Sequence, residues 1–483
     1  MSNKPGLKRG LNLFDATAIV AGSMIGSGIF IVSADMARTL GSPGWLLLAW
    51  VLTGIITLAA ALSYGELAGM MPQAGGQYVY LREAFGKLPA FLYGWTLFTV
   101  IQSGTIAAVA VAFAKFTGVI FPVISNSNWI FRIDTLTQYN IGVNTENLLA
   151  IISIIFLTWI NTRGLESGKW IQNIFTSAKI LSLLGIIILG ITIGQNLHNV
   201  WNTSWIHTLP TFHTVSFSII SALGVAMVGS LFSSIAWDTV TYTAGETINP
   251  KKNIPLSLTI GVGIVTLLYV LVNISYLSVL PFHGNINGVD VSSRGIQFAS
   301  NDRVGIACAQ MIFGNSGALI MAVLIMVSTF GCNNGIILST ARVYYAMAKD
   351  GLFFKKAGEL NKNSVPEYAL IIQCIWSCIL CVSGTYSNLL DYVIFAVLIF
   401  YMLTICGLIV LRIKKPDAER PYKAIGYPFV PVIYIFFAIA ISIDLLILKP
   451  LYTWPGLVIV LTGIPVYLLW KRNIPYQKQE ISK

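Results

Sequence analysis

Seven residues near the start of the chain, Gly22-Ser23-Met24-Ile25-Gly26-Ser27-Gly28, interrupt the first long apolar stretch about midway along it. A membrane-crossing helix tolerates such a break only where the freed backbone groups are buried in protein or line a cavity. In lipid those N–H and C=O groups would stay unpaired, at a cost of several kcal/mol each. The half-helix that starts after the break carries unpaired N–H groups and partial positive charge, which suit a carboxylate. The half before it ends in carbonyls around Ala21 to Met24, which suit an ammonium group. One break therefore offers an anion end and a cation end a few ångströms apart, matching the zwitterionic head of an α-amino acid. The competing reading of the same residues is a small-residue packing face, Gly22-xxx-Gly26.

A second polar interruption, Ser233-Ser234-Ile235-Ala236-Trp237-Asp238, falls inside a later apolar stretch. Phe232 precedes it, and an aromatic beside such a site can close over a ligand and exclude water. Trp237 can do the same or serve as interior packing. Asp238 is an acid near bilayer depth, where it must face a cavity or a partner. Contact with a ligand cation, acceptance of a proton, and a structural hydrogen bond all remain open for it. Lys179 lies mid-helix within Thr176-Ser177-Ala178-Lys179-Ile180-Leu181, too far from either end to snorkel. Its ammonium can bridge to the carbonyl end of the first break, where a sodium ion otherwise holds such a bundle together. Burial shifts lysine titration readily, so proton coupling and a plain interior salt bridge are its alternatives.

These residues need helices to hold them. The chain has 483 residues, 55% hydrophobic and only 10% charged. Soluble domains carry roughly 25% charged residues, so this is a polytopic membrane protein. Apolar stretches long enough to span a bilayer can be drawn at 13–38, 44–70, 88–121, 147–162, 170–194, 215–245, 256–281, 304–341, 367–384, 388–411, 427–448 and 453–470. Twelve spans put both termini on one side. That side carries twenty-three Lys and Arg, against five on the other (Arg38, Arg132, Arg294, Arg303 and Lys449), so the termini are expected in the cytoplasm. The net charge of +11 is thereby explained by topology, and nucleic acid is not an expected partner. The short basic N-terminus (Lys4, Lys8, Arg9) reads as no cleavable signal peptide.

No soluble domain fits between the spans, so residues 1–483 read as one membrane domain. The two breaks fall in spans 1 and 6, as in transporters built from inverted repeats. Spans 1–5 (about 13–194) would form the first repeat and spans 6–10 (about 215–411) the inverted second. Spans 11 and 12 (about 427–470) are then accessory. Cys374, Cys378 and Cys381 mimic a metal cluster, but their spacing is one face of an apolar helix. The four histidines (His198, His207, His213 and His283) lie in outward loops without ligand spacing. Neither metal nor cofactor is expected, and no nucleophile–base pair suggests an enzyme. Glu66 and Glu246 sit near span ends beside basic loops, where ion pairs are the natural account. Gln102, Ser103, Asn333 and Asn334 could line a cavity or bond between helices, and Lys115, Asp35 and Asp444 lie near span ends.

The motifs resemble those of the amino acid–polyamine–organocation superfamily, and within it the L-type amino acid transporters. The landmarks are Ile25-Gly26-Ser27-Gly28-Ile29-Phe30, Gly41-Ser42-Pro43-Gly44, Tyr64-Gly65-Glu66-Leu67, Gly75-Gly76-Gln77-Tyr78-Val79-Tyr80, Ala178-Lys179, Glu246-Thr247-Ile248-Asn249-Pro250 and Lys415-Pro416-Asp417-Ala418-Glu419-Arg420-Pro421. The resemblance covers nearly the whole chain. It implies a leucine-transporter-type, all-α fold and sodium-independent amino acid transport, commonly obligatory exchange. By motif position the amides of Ser27 and Gly28 would take the substrate carboxylate. The carbonyls of Met24, Phe232 and Ile235 would take its amine, within a site that also includes Ile25, Gly26, Ser233 and Ser234. Phe232 aligns with the aromatic gate and Lys179 with the lysine that stands in for sodium.

Two departures from that pattern matter. Eukaryotic members pair glycines after the gate aromatic, where this chain has Ile235-Ala236, so the side-chain pocket is expected to be smaller or differently shaped. Asp238 stands where the pattern has an uncharged residue. The outward loop after span 3 has no cysteine, so no disulfide-linked partner subunit is expected. The expected function is exchange of small to medium neutral L-amino acids across the cell membrane by alternating access. A proton-coupled symporter accepting cationic amino acids is the alternative, and a transporter-like sensor the remote one.

Overall fold

The computed structural model describes residues 9–133, 141–194, 219–383 and 386–472. Within these, ten helical stretches are long and apolar enough to cross a membrane, and two shorter apolar helices, Ile220–Ser233 and Glu367–Val382, accompany them. The first stretch is two helices, α1 (Leu13–Met24) and α2 (Gly28–Leu40), separated by three residues. Then come α3 (Pro43–Met70), α4 (Gln77–Phe85) and α5 (Lys87–Thr96). α5 continues through a π-turn at Leu97–Ile101 into α6 (Gln102–Ile120). α7 (Thr145–Thr162) and α8 (Leu165–Ile193) follow. The second interrupted stretch is α9 (Ile219–Ser233) and the single turn α10 (Thr239–Tyr242). α11 (Pro250–Val279), α12 (Val304–Lys349), α13 (Glu367–Ser383), α14 (Tyr386–Lys414), α15 (Phe429–Leu448) and α16 (Pro450–Arg472) complete the chain.

The interior is built around the broken pieces. α1 packs on α8, α11 and α12, and α2 packs on α9. Small buried residues there, among them Ala18, Ala21, Gly22, Gly28, Ser33 and Ala34, let backbones approach closely. The outer faces are apolar and exposed, as at Ile152, Ile155, Phe156 and Trp159 of α7 or Val432, Phe436 and Ile443 of α15. In a bilayer these meet lipid.

Three features depart from the expected elements. α4 is a helix that no apolar span announces, because it is only nine residues long and carries Gln77, Arg82 and Glu83. It is docked by the loop before it, where Gly76 (φ +44) brings its Cα so close to the Thr241 hydroxyl that a Cβ would sit 2.2 Å away. The loop after α6 also carries a short ribbon, with Trp129–Ile133 antiparallel to Ile141–Asn144, on an otherwise all-helical chain. α12 runs 46 residues and kinks at Gly314 (φ 62, ψ −150), so the expected span 304–341 is divided, its first ten residues forming a separate short helix.

The acids near span ends are paired. Glu246 is held by Arg342 at 3.0 Å with both side chains essentially inaccessible. Glu66 accepts from Arg412 and from the Ala424 amide. Asp15 accepts from Asn173 and pairs with Lys169, tying α1 to α8. Outside the spans, a hydrogen bond from Lys415 holds the Glu83 carboxyl below its ordinary range. Asn334 bonds Asn161, and Asn333 donates to the Ile106 carbonyl, so both act between helices. Lys4, Lys8, His198, His207 and His213 lie outside the described residues.

Candidate functional site

The first break occupies Ile25-Gly26-Ser27. Ile25 leaves helical geometry at φ −74, ψ 88, and α2 restarts at Gly28 with no side-chain cap from Ser27. The first amides of α2 have no acceptor within the helix. The glycines that mark this break do not supply left-handed backbone, since none of Gly22, Gly26 and Gly28 has positive φ. They supply closeness. A Cβ on Gly22 would meet Gln172 and Thr176 at 2.2 Å, one on Gly26 would meet Cys332 at 3.2 Å, and one on Gly28 would meet the Ser233 hydroxyl at 2.1 Å. The packing reading of these glycines and the break are therefore both true of the same segment.

The carbonyl end of α1 is occupied by donors from the bundle. Lys179, fully buried, donates from Nζ to the Gly22 carbonyl at 2.6 Å and the Ile25 carbonyl at 2.9 Å. The Cys332 thiol donates to the Ser23 carbonyl at 3.0 Å, and the Ser328 hydroxyl reaches Ile25 at 3.3 Å. Met24 is crowded as well. Its carbonyl takes the Gly26 amide at 2.8 Å and the Tyr269 hydroxyl at 2.9 Å, using both lone pairs.

The second break occupies Ser234 to Asp238. The Ser234 and Ile235 amides turn back onto the Leu231 and Phe232 carbonyls at 2.9 and 3.3 Å, and Thr239 returns to the Ala236 carbonyl. Ala236 carries the turn at φ 67, a left-handed conformation that costs an L-residue with a Cβ about 1–2 kcal/mol. Phe232, Ser233, Ser234, Ile235, Trp237 and Asp238 are all buried. Trp237 sits edge-on to Tyr64, centroids 4.8 Å apart, and 5.0 Å from Tyr401, a packed position within an aromatic cluster.

The two breaks meet. Gly28 abuts Ser233, and the Tyr269 hydroxyl of α11 lies 2.9 Å from the Met24 carbonyl and 3.0 Å from the Ser233 carbonyl. Having one proton, it donates to either and so bridges both interruptions. Sequence reasoning missed Tyr269, since an aromatic in an apolar helix looks like core. Asp238 was noticed, but not its partners: Tyr242 donates to Oδ2 at 2.5 Å and Tyr401 to Oδ1 at 2.7 Å.

Two cavities flank the second break. One, with room for about a single water, is bordered by Ile235, Ala236, Asp238, Gln77, Gln102 and Tyr242. The π-turn of the third stretch contributes Leu97 and Ile101 to it, in keeping with the clustering of such turns at functional sites. The other, equally narrow, is bordered by Ser234, Ile235, Trp237, Thr57 and Tyr434. Ile235, Val397 and Tyr401 line both and form the wall between them. Among the described residues, no group of three or more His, Cys, Asp or Glu could hold a metal ion.

Many membrane-crossing helices arranged about two interrupted ones form the scaffold of a membrane carrier. The chain matches the amino acid permease family over residues 11–468, and it belongs to that family. It is a multi-pass membrane transporter, not an enzyme. It is 32% identical to "Large neutral amino acids transporter small subunit 2" of Mus musculus, over 96% of this chain and 81% of that protein. It is 29% identical to "b(0,+)-type amino acid transporter 1" of Mus musculus, over 96% and 88%. With "Asc-type amino acid transporter 1" of Mus musculus it shares 28% identity, over 97% and 82%.

Proposed function

We propose that this protein exchanges small to medium neutral L-amino acids across the cell membrane, independently of sodium, by alternating access. The observation that carries the reading is Lys179 on the Gly22 and Ile25 carbonyls at the break. A fixed ammonium neutralises the helix end that a sodium ion would otherwise bridge, so no metal cation is needed to assemble the site. In this reading twelve helices form a five-plus-five inverted repeat with two accessory helices, both termini face the cytoplasm, and the whole chain is one transport domain.

The substrate carboxylate meets the amides of Ser27 and Gly28 at the start of α2. The amine meets the carbonyls of Phe232 and Ile235, and that of Met24 once Tyr269 swings its proton to Ser233. Ile25, Gly26, Ser233 and Ser234 complete the walls, with Phe232 as gate. Opening is part of binding, because the gaps beside the second break are too narrow for a guest as they stand. The relatives named for neutral amino acid transport support the substrate class. The transporter works without a disulfide-linked subunit, as its Cys-free outward loop indicates.

Ile235 sets the size limit, since its side chain fills the wall between two cavities. Counterflow in sodium-free proteoliposomes, with each of the twenty amino acids outside, tests the reading. Uptake of small neutral substrates only into liposomes preloaded with amino acid is expected. Ile235→Gly should extend the range to leucine and phenylalanine by at least about tenfold in uptake, the scale on which one or two methylenes are discriminated. Uptake that needs sodium, or proceeds equally without internal substrate, would contradict the exchange reading.

A further inference from the structure

Asp238 does more in this structure than an interhelical hydrogen bond requires. It is buried, its two carboxylate oxygens accept from Tyr242 and Tyr401, and Tyr242 is in turn 2.8 Å from the Tyr93 hydroxyl. The titratable groups that face it are phenols on five different elements and its own: Tyr64 of α3, Tyr80 of α4, Tyr93 of α5, Tyr242, Tyr401 of α14 and Tyr434 of α15. No lysine, arginine or histidine among the described residues pairs with it. An ionised carboxylate in a dry interior is costly unless a positive charge accompanies it. The adjoining cavity, bordered by Asp238, Tyr242 and Tyr93, also holds Gln77, whose two amide atoms are buried without a partner. A space on the scale of one water suits a proton and its carrier water, not a guanidinium or a hydrated metal ion.

We infer that the Asp238 cage is a proton-binding site, loaded when the cage is closed and unloaded when the cavity opens to water. Loading forms an O–H bond on one Asp238 oxygen and breaks one in a hydronium that has entered the cavity, leaving a neutral water behind. The new O–H donates to the Tyr242 oxygen. Tyr242 then donates to Tyr93, whose hydroxyl turns towards the cavity. The Tyr242–Tyr93 bond accommodates this because either oxygen can be the donor. Unloading reverses each bond and returns the proton to water. The inference builds on the transport reading but concerns a different group from Lys179, which faces the first break.

The test uses the purified full-length chain. Counterflow of L-alanine is measured in proteoliposomes between about pH 5 and pH 8, with a pH-sensitive dye in the lumen. Wild-type flux should change by at least about threefold across this range, with proton movement into or out of the lumen, while Asp238→Asn gives a flat profile. Tyr401→Phe, which keeps the acid and removes one donor, should shift the midpoint of the wild-type profile. In detergent, the difference in Tm between wild type and Asp238→Asn should vary with pH, as linkage requires of a group titrating differently in the folded state. A flat wild-type profile, or a wild-type profile retained in Asp238→Asn, overturns the inference. Should the wild type not exchange alanine at all, the transport reading fails, and the pH dependence of the Tm difference alone decides the fate of the Asp238 site.

Discussion

Lys179→Met should lower exchange by at least about a hundredfold while the protein still reaches the membrane and purifies as a folded monodisperse species. The substitution keeps the chain length and removes the ammonium, leaving the Gly22 carbonyl without its side-chain donor and the Ile25 carbonyl with the Ser328 hydroxyl alone. An abandoned carbonyl in a dry interior costs about 1–3 kcal/mol, and the break loses the charge that offsets its dipole. Lys179→Arg should not rescue, because a planar fork cannot place one nitrogen between two carbonyls as a compact ammonium does. Counterflow at equal protein density in the membrane reads the effect. Near-wild-type exchange by Lys179→Met would remove the lysine from the mechanism.

Gly28→Ala should come second in size, with a loss of exchange of about tenfold or more. The added methyl lands 2.1 Å from the Ser233 hydroxyl and 3.0 Å from the Ser233 Cα, at the contact where the two breaks touch. Ser233→Gly removes the hydroxyl and its Cβ, so the pair Gly28→Ala with Ser233→Gly should regain a substantial part of the flux. Recovery places the role of Gly28 in joining the two breaks. Failure of the pair, with a stable fold, would instead place it in direct contact with the substrate carboxylate.

Much of the fold was legible because lipid permits few solutions. Apolar runs located the long helices to within a few residues, as at Pro43–Met70 and Phe429–Leu448. The interruptions also fell where polar and small residues broke those runs. The physical reason for the glycines was read incompletely. The glycines mark the first break by close approach to neighbouring helices, whereas the left-handed turn of the second break falls on Ala236, a residue whose type gives no hint of it. α4 and the ribbon at Trp129–Ile133 escaped because neither has the apolar length that betrays a span.

Within the site, Lys179 and Asp238 stood out because charge is rare at bilayer depth. Their partners did not. Tyr269, Tyr242 and Tyr401 each carry a polar tip on a ring that reads as core, and only the crossing of helices gives those hydroxyls acceptors. The same limit applies to Ile235, whose place in the wall between two cavities depends on how the chain turns at its neighbour Ala236.

Half-substrates give the most direct test of the central idea, that two interrupted helices present main-chain groups to both charges of an amino acid. Inhibition of L-valine exchange is measured with L-valine, with valinol, which lacks the carboxylate, and with isovalerate, which lacks the amine. L-Valine should inhibit at least about tenfold more strongly than either fragment, because each fragment abandons charge-assisted bonds to one set of backbone groups. Equal inhibition by valinol or isovalerate would mean that the protein grips the side chain alone, and the paired breaks would then have no part in recognising the head group.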